Sequence, residues 1–167
     1  MDFKDHLMQK AFDEARKALD IGEVPVGSVF YDYQAKRIVG RGCNSVNATK
    51  NATRHAELNC VDEVLKLEID FKNIVVYVNV EPCIMCASAL LDLKVAAIYF
   101  GCKNDRFGGC GSVLDVPELY SCHQNSNGST TRIVGGFREE EAIELLKSFY
   151  KGENPNAPED KRKPARD

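Results

Sequence analysis

Residues 74–91 read Ile74-Val75-Val76-Tyr77-Val78-Asn79-Val80-Glu81-Pro82-Cys83-Ile84-Met85-Cys86-Ala87-Ser88-Ala89-Leu90-Leu91. The first seven are nearly all apolar, which predicts a strand covered on both faces. Pro82 stands where a helix begins, a place that tolerates its missing N–H. Cys83 to Leu91 continue that helix. Downstream, Val95 to Phe100 reads as another buried strand. Upstream, Val26 to Tyr31 and Arg37 to Gly42 read as a hairpin turning near Asp32. A helix before them is capped by Asp2 and ends at Gly22, with Phe3, Leu7, Ala11, Ala15 and Ala18/Leu19 in one apolar stripe.

Between hairpin and buried strand, Asn44 to Thr53 reads as a loop. A helix follows from Arg54 or His55 to about Leu67, with Leu58, Val61 and Leu65 as its buried face. Gly101 to Gly111 is a glycine-rich loop, residues 117–130 are polar and irregular, and Thr131 to Val134 forms a short strand. The last helix carries Glu139, Glu140 and Glu141 in its first turn and Lys147 and Lys151 near its end, which complements the helix dipole. The alternation of strands and helices makes the fold class α/β, a mixed sheet with helices on both faces. The chain of 167 residues suits one domain, 1–152, followed by a proline-rich flexible tail, 153–167, that carries a basic block.

Seven cysteines and an N-terminus without an apolar run place the chain in a reducing compartment, cytoplasmic and/or nuclear and not secreted. There, clustered cysteines read as metal ligands before disulfides. No stretch reaches the roughly 20 apolar residues of a membrane span.

Cys83 and Cys86 form a C-x-x-C pair, and residues three apart at a helix start share one side. The helix dipole favours their thiolates, the form that binds metal. No second C-x-x-C is present to close a structural zinc site. The third ligand is expected to be His55, at the start of the preceding helix. Three protein ligands leave a position for water, as in a catalytic Zn2+ site. Glu57, two residues after His55, is placed to act as base and acid toward that water. Either half alone is weak, since H-x-E is common on surface helices. Together, His55-Ala56-Glu57 followed by Pro82-Cys83-Ile84-Met85-Cys86 matches the signature of zinc deaminases.

With those motifs the chain resembles the cytidine deaminase-like superfamily over roughly residues 3–151. Within it, Glu23-Val24-Pro25-Val26-Gly27, Asn44, Ala52-Thr53-Arg54-His55-Ala56-Glu57-Leu58, Glu81-Pro82-Cys83-Ile84-Met85-Cys86 and Gly108-Gly109-Cys110-Gly111-Ser112 resemble the tRNA-specific adenosine deaminases. The likeness is greatest to the catalytic subunits of the eukaryotic heterodimeric enzymes. The resemblance implies a three-layer α/β/α fold around a five-stranded mixed sheet. It implies conversion of adenosine to inosine at the wobble position of tRNA anticodons, by attack at carbon 6 of an unpaired base turned into the pocket. It also implies a heterodimer with a related deaminase-like subunit that lacks the catalytic glutamate, and Asn44 as a substrate-binding residue. When isolated, the chain could form a homodimer.

The formal charge of −3 gives no general pull toward nucleic acid, so RNA binding needs a local patch. Candidates for RNA contact are Lys103 and Arg106 beside the expected pocket, and Lys161, Arg162, Lys163 and Arg166 in the tail. The tail block could equally be a nuclear signal or a solvated segment. Phe149 and Tyr150 could stack on anticodon bases or anchor the last helix in the core. Cys60 reads as helix core. The zinc signature also fits a deaminase of free cytidine, deoxycytidylate or guanine. A different class, a non-catalytic zinc-containing RNA-binding partner subunit, is opposed by Glu57.

Overall fold

The structure is a computed structural model that describes residues 2–123 and 131–151. The tail, with Lys161, Arg162, Lys163 and Arg166, lies outside the described residues. Five strands, β1 (Gly27–Asp32), β2 (Arg37–Cys43), β3 (Ile74–Val80), β4 (Ala97–Cys102) and β5 (Arg132–Val134), form one sheet in the order β2-β1-β3-β4-β5. β1 runs antiparallel to both β2 and β3, whereas β4 is parallel to β3 and to β5. The sheet is therefore mixed, as expected. The turn between β1 and β2 is built by Asp32, whose Oδ1 accepts the N–H groups of Gln34 and Ala35 at 2.9 Å each.

Helices cover both faces. Along β3, every residue is buried, and alternate side chains serve opposite cores. Val75 and Tyr77 join Leu7, Met8, Ala11 and Phe12 of α1 (Asp5–Asp20) and Ala142 of α6 (Glu139–Lys151). Ile74 and Val76 join Cys60 and Val64 of α3 (Ala56–Leu65) and Leu90 of α4 (Ile84–Asp92). Two burial surfaces back to back explain why this strand carries no polar alternation. The polar exception, Asn79, is fully satisfied: its Oδ1 accepts Gly27 N–H at 2.8 Å and its Nδ2 donates to Pro25 O at 2.9 Å. Those two bonds tie the segment before β1 to the C-terminal end of β3.

Four local expectations are corrected. Asp2 does not cap α1; the N-cap is Lys4, without a side-chain hydrogen bond. The fully buried apolar residues of α3 are Ala56, Cys60 and Val64; Val61 packs partly buried against the same core as expected, while Leu65 is 59% exposed. Small residues face the sheet there because α3 lies close against β2, where a Cβ on Gly42 would stand 2.5 Å from Ala56 O. The loop after β2 contains a single helical turn, α2 (Val46–Thr49). The stretch read as irregular from residue 117 includes α5 (Val116–His123), which packs Val116 on Ala87 and Leu91 of α4. Its few apolar positions meet a helix rather than the sheet, which weakens the amphipathic pattern.

α1 is pressed against β1 at Gly27, where an added Cβ would lie 2.2 Å from Ala15 N and 2.3 Å from Ala11 O. These are backbone atoms of a buried helix and cannot swing aside. Gly27→Ala should therefore destabilise the chain by about 3 kcal/mol or more, read as a drop in the urea midpoint at unchanged slope.

Candidate active site

His55 is the N-cap of α3 and Cys83 the N-cap of α4. Both have extended backbone, and neither side chain makes an N-cap hydrogen bond. Each is thus left to face the other helix start. Cys86, one turn into α4, completes the group. His55 Nδ1 lies 3.4 Å from Cys83 Sγ and 3.6 Å from Cys86 Sγ, and the three ligand atoms all fall within 4.8 Å of one another. Zinc bonds of about 2.0 Å to nitrogen and about 2.3 Å to sulfur, at a tetrahedral angle, require an N···S separation of about 3.5 Å. The donor set thus fits a zinc ion in spacing and in kind, with Nδ1 as the ligating nitrogen. Among the described residues this is the one group of histidine, cysteine and acidic side chains placed to hold a metal. Cys102 and Cys110 do not join it.

The protonation of the two sulfurs points the same way. The Cys83 thiol is pushed down to about 4, chiefly by the hydrogen bond it receives from Cys86 and then by His55. The Cys86 thiol is pushed up, because it holds the proton it donates to Cys83 and is buried. A divalent ion bound there displaces that shared proton and leaves two thiolates to balance its charge.

Glu57 sits in the first turn of α3 and is buried, with 3% exposure. Its Oε2 has no hydrogen-bond partner among the described residues. Burial, and secondarily the Cys83 charge, pushes its carboxyl up to about 7. A buried carboxylate oxygen without a donor is costly unless something outside the chain supplies one. Water or substrate at the metal would do so.

The site opens into a cavity of about 460 Å³. Val24, Val26 and Val80 form apolar walls, with His55, Glu57 and Cys83 at the reactive end. Asn44 lines it too, buried at 6% exposure, with its Nδ2 donating to Glu23 Oε2 at 3.0 Å. Lys103, Arg106 and Phe107 from the glycine-rich loop, and Tyr150 of α6, also line the cavity. All four are exposed. Tyr150 is therefore not a core anchor, since it is 62% exposed; its ring stands 5.2 Å from that of Phe149.

The residues read as site candidates did not include Glu81, which places the loop beside the cavity. It is buried after β3 and its carboxylate gathers the loop's donors. Oε1 accepts Cys110 N–H at 2.9 Å and Ser112 N–H at 3.1 Å; Oε2 accepts Asn104 N–H at 3.0 Å and the Ser112 hydroxyl. The available signal was an acidic residue between a fully apolar strand and Pro-Cys, where a buried charge must be met by donors. Glu23 gave no comparable signal, because it stands between a helix end and a strand in a stretch that reads as surface loop.

A family model described as the cytidine and deoxycytidylate deaminase zinc-binding region matches residues 1–102. The chain is 52% identical over 163 residues to tRNA-specific adenosine deaminase 2 of Xenopus tropicalis, covering 92% of each. It belongs to the tRNA-specific adenosine deaminase family. A tRNA-specific adenosine deaminase subunit, tad2, of Schizosaccharomyces pombe is 41% identical over 153 residues, covering 90% of this chain and 38% of that one. A solved structure from work on A-to-I editing by tRNA:A34 deaminases superposes with a TM-score of 0.76 at 26% identity, covering 85% of this chain and 99% of that chain. The fold seen here is thus that of the family, and so is a zinc-binding deaminase domain.

The purified chain should carry one zinc ion per site. His55→Ala and Cys86→Ser should each lower zinc retention by more than about tenfold, measured by plasma mass spectrometry after gel filtration.

Proposed function

We propose that the chain converts adenosine to inosine at the wobble position of tRNA anticodons by hydrolytic deamination, with Glu57 as proton shuttle. What carries this reading is Glu57 Oε2, without a hydrogen-bond partner among the described residues and buried beside His55, Cys83 and Cys86 at the end of a cavity whose exposed lining includes Lys103, Arg106, Asp105, Phe107 and Tyr150. His55 Nδ1 and the sulfurs of Cys83 and Cys86 would hold the zinc. When bound, zinc supplies Lewis acidity that makes water nucleophilic near pH 7.

Glu57 Oε2 takes a proton from the attacking water and passes it to N1 of the adenine ring. The new bond joins oxygen to carbon 6. Glu57 then moves the second proton to the departing amine, the bond from carbon 6 to nitrogen breaks, and ammonia leaves. A buried carboxyl with one oxygen left free of donors suits both steps, since that oxygen can take up and give back a proton. Val24, Val26 and Val80 give the base apolar walls to lie against.

The cavity's exposed lining residues favour an RNA substrate over a free base. Lys103 and Arg106 offer phosphate contacts, and Phe107 and Tyr150 offer faces on which unpaired nucleotides can stack. That combination suits an anticodon loop, whose bases are already unpaired. The named relatives and the superposed tRNA:A34 deaminase support the same substrate.

A related subunit lacking the glutamate is proposed as partner. The Schizosaccharomyces pombe relative is itself called a subunit. Near the site, Ile84, Phe107, Val113 and Leu114 are exposed apolar side chains on one connected stretch, in which Ile84 N–H bonds to Phe107 O and Val113 N–H to Gly108 O. The proposed location is the cytoplasm and/or nucleus.

Glu57→Ala should keep zinc and lower inosine formation by at least about 10³-fold, as expected for loss of a general acid–base. Mass spectrometry of tRNA nucleosides, run with and without the partner, reads this directly. Undiminished turnover removes Glu57 from the mechanism, and ammonia release from free cytidine or guanine alone overturns the tRNA assignment. Replacing Lys103 and Arg106 together by alanine should raise KM for tRNA by about tenfold and flatten its salt dependence, with kcat little changed.

A further inference from the structure

We propose that Glu23 is a positioning residue that decides which atom of Asn44 the substrate meets. The inference rests on the reading of the cavity as the nucleoside pocket. Glu23 is 1% exposed and does not line the cavity itself. Its backbone N–H is bound to Ala18 O at 2.9 Å, which anchors it behind the wall formed by Val24 and Val26. Its two carboxylate oxygens meet two donors. Oε1 accepts the Ala48 N–H at 2.8 Å, from the helical turn α2, and Oε2 accepts Asn44 Nδ2 at 3.0 Å.

The donor–acceptor logic runs in one direction. A backbone N–H can only donate, so Oε1 must accept. Oε2 accepts as well, and so takes the NH2 end of the Asn44 amide. The Asn44 backbone is held separately, its N–H on Val26 O at 2.9 Å. With the backbone N–H and one amide N–H held, Oδ1 is the side-chain acceptor Asn44 has left beside its second amide N–H, and the carboxylate fixes on which edge of the amide that acceptor stands. The pocket thereby presents an acceptor, which recognises an N–H or O–H of the target nucleoside and opposes an analogue with an acceptor at that place. Either oxygen of Glu23 could bond a single donor; the pair of donors is what requires a carboxylate.

Glu23→Gln keeps the shape but supplies one acceptor and one donor for two donors. The Ala48 N–H takes the acceptor. The introduced NH2 group then turns the Asn44 amide over, so that Nδ2 instead of Oδ1 faces the substrate. KM for tRNA should rise about tenfold, the scale of one lost hydrogen bond, with kcat changed less. Combining Glu23→Gln with Asn44→Asp restores an acceptor toward the cavity and a matched donor behind it. The double variant should recover most of the KM lost by Glu23→Gln, whereas two merely structural losses add.

The proposal is overturned by wild-type KM in Glu23→Gln, by a double variant as poor as or poorer than Glu23→Gln, or by a double variant that stays unfolded if Glu23→Gln unfolds. A readout independent of activity separates this from the substrate assignment. In ¹⁵N-resolved hydrogen exchange, the Asn44 side-chain NH2 should be protected in the wild-type protein and exchange faster in Glu23→Gln. Equal exchange in both overturns the positioning role. A wild-type chain that forms no inosine in tRNA yet shows the protection difference overturns the substrate assignment instead.

Discussion

Two helices begin at the same point in space, and the site depends on that. α3 approaches the sheet because β2 carries Gly42 where Ala56 O would otherwise meet a Cβ. α4 arrives by the direct route, from β3 through Glu81 and Pro82. With both N-caps in extended backbone, the His55 ring and the Cys83 sulfur approach each other across the two helix starts. Helix N-termini favour negative charge, which suits thiolates there and a carboxylate in the first turn of α3. Ion binding, thiol deprotonation and the placement of Glu57 are all consequences of one packing arrangement.

Three buried carboxylates surround the cavity, and their hydrogen bonding sorts them by role. Glu81 accepts four donors and holds the loop from Asn104 to Ser112. Glu23 accepts two and orders Asn44 and the turn α2. Glu57 leaves Oε2 without a partner. A carboxylate whose oxygens are both taken by donors is fixed in geometry, and so serves as a brace. An unsaturated one in a buried site can take up a proton or bind a new donor at small cost, which is what a proton shuttle does.

The division between chemistry and substrate choice follows the same architecture. The reacting groups stand on helix starts supported by the sheet, where displacement would disturb both cores. The groups suited to RNA contact are exposed, and come from the loop after β4 and the last turn of α6. Rigid placement serves bond-making, whereas an exposed loop and helix end can follow the shape of a folded RNA.

Read alone, the sequence determined the elements with a strong local pattern. β3 could be bounded at Ile74 and Val80, because burial on both faces removes every alternative periodicity. His55, Glu57, Cys83 and Cys86 could be grouped, because metal ligation restricts residue types and spacing so tightly that two short motifs suffice. What only the tertiary structure decided was every contact made across the chain. The inward face of α3 shifted to Ala56, Cys60 and Val64 because the close approach to β2 selects small side chains over the larger Leu58 and Leu65. α5 was illegible because it packs on another helix with few apolar residues. The orientation of Asn44 depends on a carboxylate 21 positions earlier. Such pairings arise from hydrogen-bond partners brought together by folding, and no local period records them.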